Sequence, residues 1–171
     1  MACARHKEAA VAEDYTCRSA DVSDIPALVK HRRLITVELA EGEGQTLRAS
    51  ALEVMDKAYA AYLREHLFEG TAWAWIAERG GTAVASGVVS QLLWPPSAWQ
   101  TTQKVGLLHS MYTAPGHRRR GLAKMILEAA ISRCKQSGFK WMTLGAREET
   151  RGLYESVGFR PNPATIMNLG L

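Results

Sequence analysis

The sequence predicts a single domain of the α/β (α+β) class, in which helices pack on the faces of a mixed, mostly antiparallel β-sheet. Its length of 171 residues is typical of one domain, and no repeat or linker divides it. In the middle of the chain, three predicted strands follow one another without an intervening helix, which is typical of an antiparallel meander. A strand, a helix and a strand then alternate, which adds a crossover connection. The predicted order is β-α-α-β-β-β-α-β-α-β.

The first predicted elements are a short strand and two helices. The strand is expected at residues 15 to 18, and either Asp21 or Ser23 could cap the helix that follows. The segment "AEGEGQ" at 40 to 45 is predicted to be a flexible acidic loop. Residues 48 to 67 have apolar side chains at helical spacing, which predicts the second helix.

The second half of the chain supplies the meander and the crossover. Arg79-Gly80-Gly81 separates two strand-like runs, which predicts a hairpin. Ser137-Gly138 is predicted to end the crossover helix. The predicted elements are strands at 71 to 78, 82 to 94 and 104 to 113, a helix at 119 to 137, a buried strand in "KWMTLG", a helix at 148 to 157 and a final strand in "TIMNLG".

Composition narrows the class of protein. A net charge of +4 is compatible with an anionic ligand but is too small to indicate a nucleic-acid binder. The three cysteines are odd in number and lack CxxC spacing, so we expect no metal site and a cytoplasmic location. No apolar run is long enough to predict a membrane span. Residues 1 to 14 lack an apolar signal-peptide core and are predicted to be a flexible tail before a domain of residues 15 to 171.

The run "PGHRRRG" at 115 to 121 lies between a predicted strand and a predicted helix. The first N–H groups of a helix have no partner within the helix and carry partial positive charge. The arginines add full charges, and Gly121 allows a ligand to approach the backbone. This combination predicts a phosphate or pyrophosphate site. The alternative is a solvated run of basic residues.

"PGHRRRGLA" resembles the acetyl-CoA-binding motif of the GNAT superfamily of N-acetyltransferases. In this motif a Gln or Arg is followed three positions later by Gly, and that Gly is followed two positions later by Gly or Ala. Arg118, Gly121 and Ala123 fill those positions. "LLHSMYTAP" resembles the fourth strand of the family, and "RGLYESVGF" resembles its C-terminal signature. The resemblance covers residues 15 to 171. It implies a mostly antiparallel sheet of about six to seven strands flanked by about four helices.

The resemblance also implies roles for individual residues. Acetyl-CoA would be the co-substrate, and backbone groups of Met111 and Thr113 would pair with its pantetheine arm. Tyr154 would protonate the departing thiolate. Arg147 departs from the family pattern, which often has Asn there, although its side chain could reach a phosphate. The residues expected to bind acetyl-CoA are Met111, Tyr112, Thr113, Arg118, Arg119, Arg120, Gly121, Leu122, Ala123, Lys124 and Arg147.

Amide formation from a thioester benefits from a base that takes a proton from the amine. His109 is the best-placed candidate, since strand alternation puts it on one face with Met111 and Thr113. Alternation puts Ser110 on the opposite face. Three acidic residues could serve instead, or could simply be solvated: Glu38, Glu41 and Glu43. A water chain to a backbone carbonyl would need no basic side chain.

The acceptor is not specified by these patterns. Aromatic residues could build an acceptor pocket or could be packing residues: Tyr59, Tyr62, Trp73, Trp75, Trp94 and Trp99. The acidic inter-helix loop favours a cationic amine. We therefore expect acetyl transfer to a primary amine of a small molecule or peptide, directly in a ternary complex, with a homodimer possible and no nucleic-acid or membrane partner. The alternatives are a CoA-binding sensor without catalysis and a nucleic-acid-binding module.

Overall fold

The computed structural model describes residues 14–98 and 101–162. Within these ranges, five strands form one sheet in the order β1-β2-β3-β4-β5. The strands are β1 Thr16–Ser19, β2 Ala72–Arg79, β3 Thr82–Leu93, β4 Lys104–Thr113 and β5 Trp141–Thr143. The helices are α1 Ile25–Gly42, α2 Ala49–Glu69, α3 Leu122–Gln136 and α4 Glu148–Ser156.

The sheet topology confirms the predicted fold class. Strands β1 to β4 pair in antiparallel fashion with their neighbours, and β5 pairs with β4 in parallel. The α3 helix provides the crossover between β4 and β5, as the order of elements predicted. The described sheet has five strands, fewer than the six to seven that were expected. The strand predicted in "TIMNLG" lies outside the described residues.

Helices cover both faces of the sheet. On one face, α1 and α2 bury an apolar cluster around Leu28, Leu63 and Ile76. On the other face, α3 and α4 pack over Leu108 and Val89, and this second cluster includes Tyr154. Where the strands are regular, successive side chains point to opposite faces of the sheet. Cys134 lies in the second cluster, and burial raises the pKa of its thiol to about 11, so it is a core residue.

Three predicted boundaries were wrong. The α1 helix continues to Gly42, so residues 40 to 42 are helical and do not belong to the expected loop. The α3 helix begins at Leu122 instead of residue 119, because Arg119 and Gly121 adopt left-handed φ angles of 60° and 79°. The β5 strand has three residues, and Trp141 is half exposed, so this strand is not buried as expected. At the first helix, Asp21 accepts from the Ser23 N–H and caps a short 3-10 turn before α1.

A β-bulge interrupts β4 near its end. Val88 of β3 lies opposite His109 and Ser86 lies opposite Tyr112, so Gly87 faces two residues, Ser110 and Met111. Ser110 has φ of 54°, which is unusual for a residue with a side chain. A Cβ on Gly87 would lie 2.3 Å from Met111 Sδ and 2.8 Å from a methyl group of Ile126. Glycine at this position therefore gives Met111 the space that the bulge requires.

Candidate active site

Within residues 14–98 and 101–162, the second half of β4 has no strand paired with it on the side of β5. The two strands pair at only three positions, from Val105 to Leu107 of β4. Residues 108 to 113 extend beyond the last of these pairs, and β5 ends at Thr143. A strand edge with free N–H and C=O groups can bind an extended, amide-containing ligand as an additional strand. Within the described residues this edge is therefore open to a ligand beyond Leu107, except at the Thr113 carbonyl, which accepts from Arg118 Nε.

This free edge leads directly into a row of backbone N–H groups at the start of α3. Among the described residues, helical hydrogen bonding begins where the Met125 N–H donates to the Gly121 carbonyl at 3.0 Å. None of the N–H groups of residues 119 to 124 donates to a described protein acceptor. A Cβ placed on Gly121 would contact no protein atom within 4 Å, so the space above it is open. These N–H groups form a concave anion-binding surface, which we call the N–H cradle.

Two arginines that were predicted to bind acetyl-CoA form ion pairs with carboxylates in α1 or directly after it. Arg118 donates from Nε to the Thr113 carbonyl at 2.9 Å and pairs with Glu38 at 2.6 Å. Its guanidinium thus ties the end of β4 to α1. Arg147, which precedes α4, pairs with Glu43. Two of the three acidic side chains that suggested a cationic acceptor are therefore already matched by arginines. Arg119 and Arg120 are exposed beside the cradle.

His109 lies at the centre of a polar network on the α1 and α2 face of the sheet. Its Nε2 lies 2.7 Å from Ser90 Oγ, and its Nδ1 lies 3.0 Å from Ser110 Oγ. The Tyr62 hydroxyl donates to Ser90 at 2.5 Å, and the Tyr59 hydroxyl donates to Ser110 at 3.0 Å. Both ring nitrogens of His109 are therefore engaged by serines that tyrosines of α2 hold in place.

The donors in this network determine the direction of its hydrogen bonds. Ser110 Oγ accepts from Tyr59 and from Nη1 of Arg32, the latter at 3.3 Å. With both lone pairs used, its own O–H is left to donate, and His109 Nδ1 is the acceptor within reach. Nε2 of His109 then carries the hydrogen and donates to Ser90. Burial, together with the positive charge of Arg32, lowers the pKa of His109 to about 4, so the ring is neutral near pH 7.

The bulge overturns the expected facing of β4 side chains. Ser110 was expected opposite His109 but hydrogen-bonds with it on the same face. Met111 was expected on the face of His109 but packs against the α3 cluster, beside Gly87. The extra residue in β4 shifts the alternation by one position, which moves every later side chain to the other face. Strict alternation from sequence cannot include this shift.

Tyr154, the predicted acid, lies on the opposite side of the sheet from His109. Its ring is 9% exposed within the α3 cluster and meets the ring of Phe159 edge-on at 6.1 Å. Burial raises the pKa of its hydroxyl, so the phenol keeps its proton at neutral pH. The two predicted catalytic groups therefore approach β4 from opposite faces.

A second buried histidine was not foreseen from the sequence. His31 of α1 is 4% exposed, and its Nδ1 lies 2.9 Å from Ser86 Oγ. Its ring packs at 4.8 Å against Tyr112 of β4. Burial lowers the pKa of His31 to about 4. The Tyr112 side chain is therefore part of the contact between α1 and β4.

The aromatic residues do not form one pocket. Tyr59 and Tyr62 stack at 6.1 Å on the face of His109. Trp75 and Trp73 belong to the cluster on the other face, so the packing alternative holds for both. Trp94 is 56% exposed, and Trp99 lies outside the described residues.

No group of three or more His, Cys, Asp or Glu side chains suited to a metal ion occurs in residues 14–98 and 101–162. Over the same ranges, no helix has the length and apolar character needed to cross a membrane.

An open strand edge followed by an N–H cradle fits the resemblance to the GNAT acetyltransferases that the sequence motifs indicated. A sequence model described as the acetyltransferase (GNAT) family matches residues 40–159, and the chain belongs to this family. A curated relative is the uncharacterised N-acetyltransferase YjgM of Escherichia coli K12. It is 29% identical over 147 residues, which cover 83% of this chain and 80% of the relative.

Solved structures confirm the fold. A GCN5-related N-acetyltransferase from Ralstonia eutropha JMP134 superposes with a TM-score of 0.77 at 24% identity, covering 91% of this chain and 98% of that one. A predicted acetyltransferase from Clostridium acetobutylicum, solved with acetyl-CoA, gives a TM-score of 0.79 at 24% identity, with 91% and 96% covered.

Proposed function

We propose that this protein is an N-acetyltransferase that moves the acetyl group of acetyl-CoA directly to a primary amine in a ternary complex. The observation that carries the proposal is the continuity of the free β4 edge with the N–H cradle in a chain of the GNAT family. An extended thioester with a pyrophosphate at one end matches this sequence of backbone groups.

The cradle binds the pyrophosphate of acetyl-CoA. The N–H groups of residues 119 to 124 supply most of the donors, and the side chains of Arg119 and Arg120 add positive charge. Gly121 leaves the approach open because it lacks a Cβ. Arg118 acts by holding the turn against Thr113 and Glu38. Arg147 would reach a phosphate only after leaving Glu43.

The thioester lies along residues 111 to 113, where backbone groups of β4 orient it. The Met111 N–H polarises the thioester carbonyl, because a fixed backbone donor stabilises the oxyanion that forms during attack. The bulge at Ser110 and Met111 sets the direction of this N–H group.

Ser110 and His109 accept the proton of the attacking amine. The attacking amine takes the place of the 3.3 Å hydrogen bond from Arg32, which frees a lone pair on Ser110 Oγ. As the amine nitrogen bonds to the carbonyl carbon, its N–H becomes acidic and passes a proton to Ser110 Oγ, while the Ser110 hydroxyl proton moves to His109 Nδ1, 3.0 Å away. A neutral His109 is always in its accepting form near pH 7, although its low pKa makes it a weak base. Collapse of the intermediate breaks the carbon–sulfur bond, and Tyr154 donates its proton to the sulfur.

Two matched glycine variants test the donor site. Gly121 and Gly138 lie at opposite ends of α3 with φ of 79° and 78°, and a Cβ on either would contact no protein atom within 4 Å. Alanine should therefore strain both backbones equally, by about 1–2 kcal/mol. Calorimetric titration with acetyl-CoA should show binding weakened by about tenfold or more in Gly121→Ala only, since its Cβ intrudes on the pyrophosphate. Equal affinities in the two variants would contradict this site.

A further inference from the structure

Arg32 of α1 carries a positive charge that no described carboxylate balances. Its Nη1 donates to Ser110 at 3.3 Å, and its guanidinium carbon lies 5.6 Å from the centre of the Tyr59 ring. The next residue, Arg33, pairs with Asp56, and Arg118 pairs with Glu38. A half-buried guanidinium usually has an anionic partner, because removing an unpaired charge from water is unfavourable.

The charge of Arg32 acts on the proposed reaction centre. Burial and, in addition, the charge of Arg32 lower the pKa of His109, so the field of Arg32 reaches this imidazole. The groups that face His109 are Arg32 from α1, Tyr59 and Tyr62 from α2, Ser90 from β3 and its neighbour Ser110. None of these is acidic near neutral pH.

We propose that Arg32 binds an anionic group of the acceptor, so that the acceptor is an amine carrying a carboxylate or a phosphate. A guanidinium presents a planar fork of N–H donors that matches either group bidentately. Its 3.3 Å bond to Ser110 is longer than the Tyr59 bond to the same oxygen, so it is the one that a substrate anion replaces most readily. This inference rests on the proposed acetyl transfer, and it replaces the cationic acceptor expected from the acidic loop.

Matched pairs of amines test the proposal. Release of CoA thiol is measured with amino acids against their carboxamides and with phosphoethanolamine against ethanolamine, which separates carboxylate from phosphate recognition. The wild type should show a kcat/KM about tenfold or more higher for the charged member of at least one pair, mostly through a lower KM. R32Q should lose this preference, because its kcat/KM falls much further for the charged member of the pair than for the neutral one. R32K should keep part of it, since the charge remains without the fork.

Arg33→Gln is the control, because it removes the neighbouring arginine, which pairs with Asp56 away from Ser110. Its preference should match the wild type. A wild type that favours the neutral member of every pair, or an R32Q chain that slows both members equally, overturns the inference.

If no amine is acetylated, the proposed function fails, and binding alone decides the role of Arg32. Acetate and inorganic phosphate are then titrated while NMR follows the imidazole of His109. An anion at Arg32 offsets its charge and should raise the pKa of His109 in the wild type but not in R32Q. An unchanged pKa in the wild type overturns the inference.

Discussion

Acid should destabilise this protein between pH 7 and pH 5 through His31. The histidine is 4% exposed, and its pKa is about 4 in the fold against an ordinary value near 6.5. The unfolded chain therefore binds more protons than the folded chain between these two pKa values. The stabilising contribution is present above about pH 6.5 and is lost as the pH falls toward 4.

The size of the effect follows from the two pKa values. Their difference corresponds to a contribution of about 3 kcal/mol to the free energy of unfolding, which is lost completely once His31 is protonated in both states. About 2 kcal/mol of this contribution is lost by pH 5. His109, which has a similarly lowered pKa, should add a loss of the same order. Together these losses are a large part of the stability of a typical domain.

Urea unfolding followed by tryptophan fluorescence at pH 7 and pH 5 measures the loss. At pH 7 the free energy of unfolding should be lower in His31→Asn than in the wild type. Its decrease from pH 7 to pH 5 should be smaller than the wild-type decrease by about 2 kcal/mol. His109→Asn provides an independent second variant with the same expected flattening. If the wild type is equally stable at both pH values, or if neither variant flattens the dependence, the reasoning about buried neutral histidines is wrong.

Three further variants test the site. Tyr154→Phe keeps the buried ring, so acetyl-CoA should bind as in the wild type while kcat falls by about tenfold or more in thiol-release assays; a full kcat would remove the acid role. His109→Gln should lower kcat with little change in the calorimetric Kd for acetyl-CoA, and an unaltered kcat would argue against the proton relay. Gly87→Ala places a Cβ against Met111 and Ile126 and should lower the free energy of unfolding by about 1–3 kcal/mol in urea. The double variant Gly87→Ala/Met111→Ala should recover part of that loss, because the smaller side chain makes room for the new Cβ. If the effects of the two single substitutions simply add, there is no clash between the Cβ and Met111.

Local patterns in the sequence predicted most of the fold. The strand at residues 104 to 113 was predicted with its observed bounds, and the hairpin before it needed only the glycine pair at the turn. The start of α3 was missed because Arg119 and Gly121 adopt left-handed backbone angles, which alter where helical hydrogen bonding can begin. The unpaired N–H groups of residues 119 to 124 still follow the turn at which the sequence predicted a helix start, and the anion site there stays a prediction.

The inner site could not be derived in the same way. The bulge at Ser110 depends on Gly87 in another strand, and the network around His109 joins side chains from α1, α2, β3 and β4. Such contacts depend on the register between elements that are far apart in sequence. One signal was available, because an isolated glycine inside the apolar run of β3 indicates a bulge or a close backbone approach. This signal indicates an irregularity near Gly87 but does not identify the bulged residue of the neighbouring strand.

Amine-dependent release of CoA thiol, measured together with the acetylated product, tests the central claim most directly. With acetyl-CoA held constant, the wild type should release thiol at a rate that rises with amine concentration, and one N-acetylated product should form for each thiol. A protein that binds acetyl-CoA but releases thiol equally with and without every amine, and forms no product, would be a CoA-binding sensor. That result would contradict the assignment of catalysis to His109, Ser110 and Tyr154.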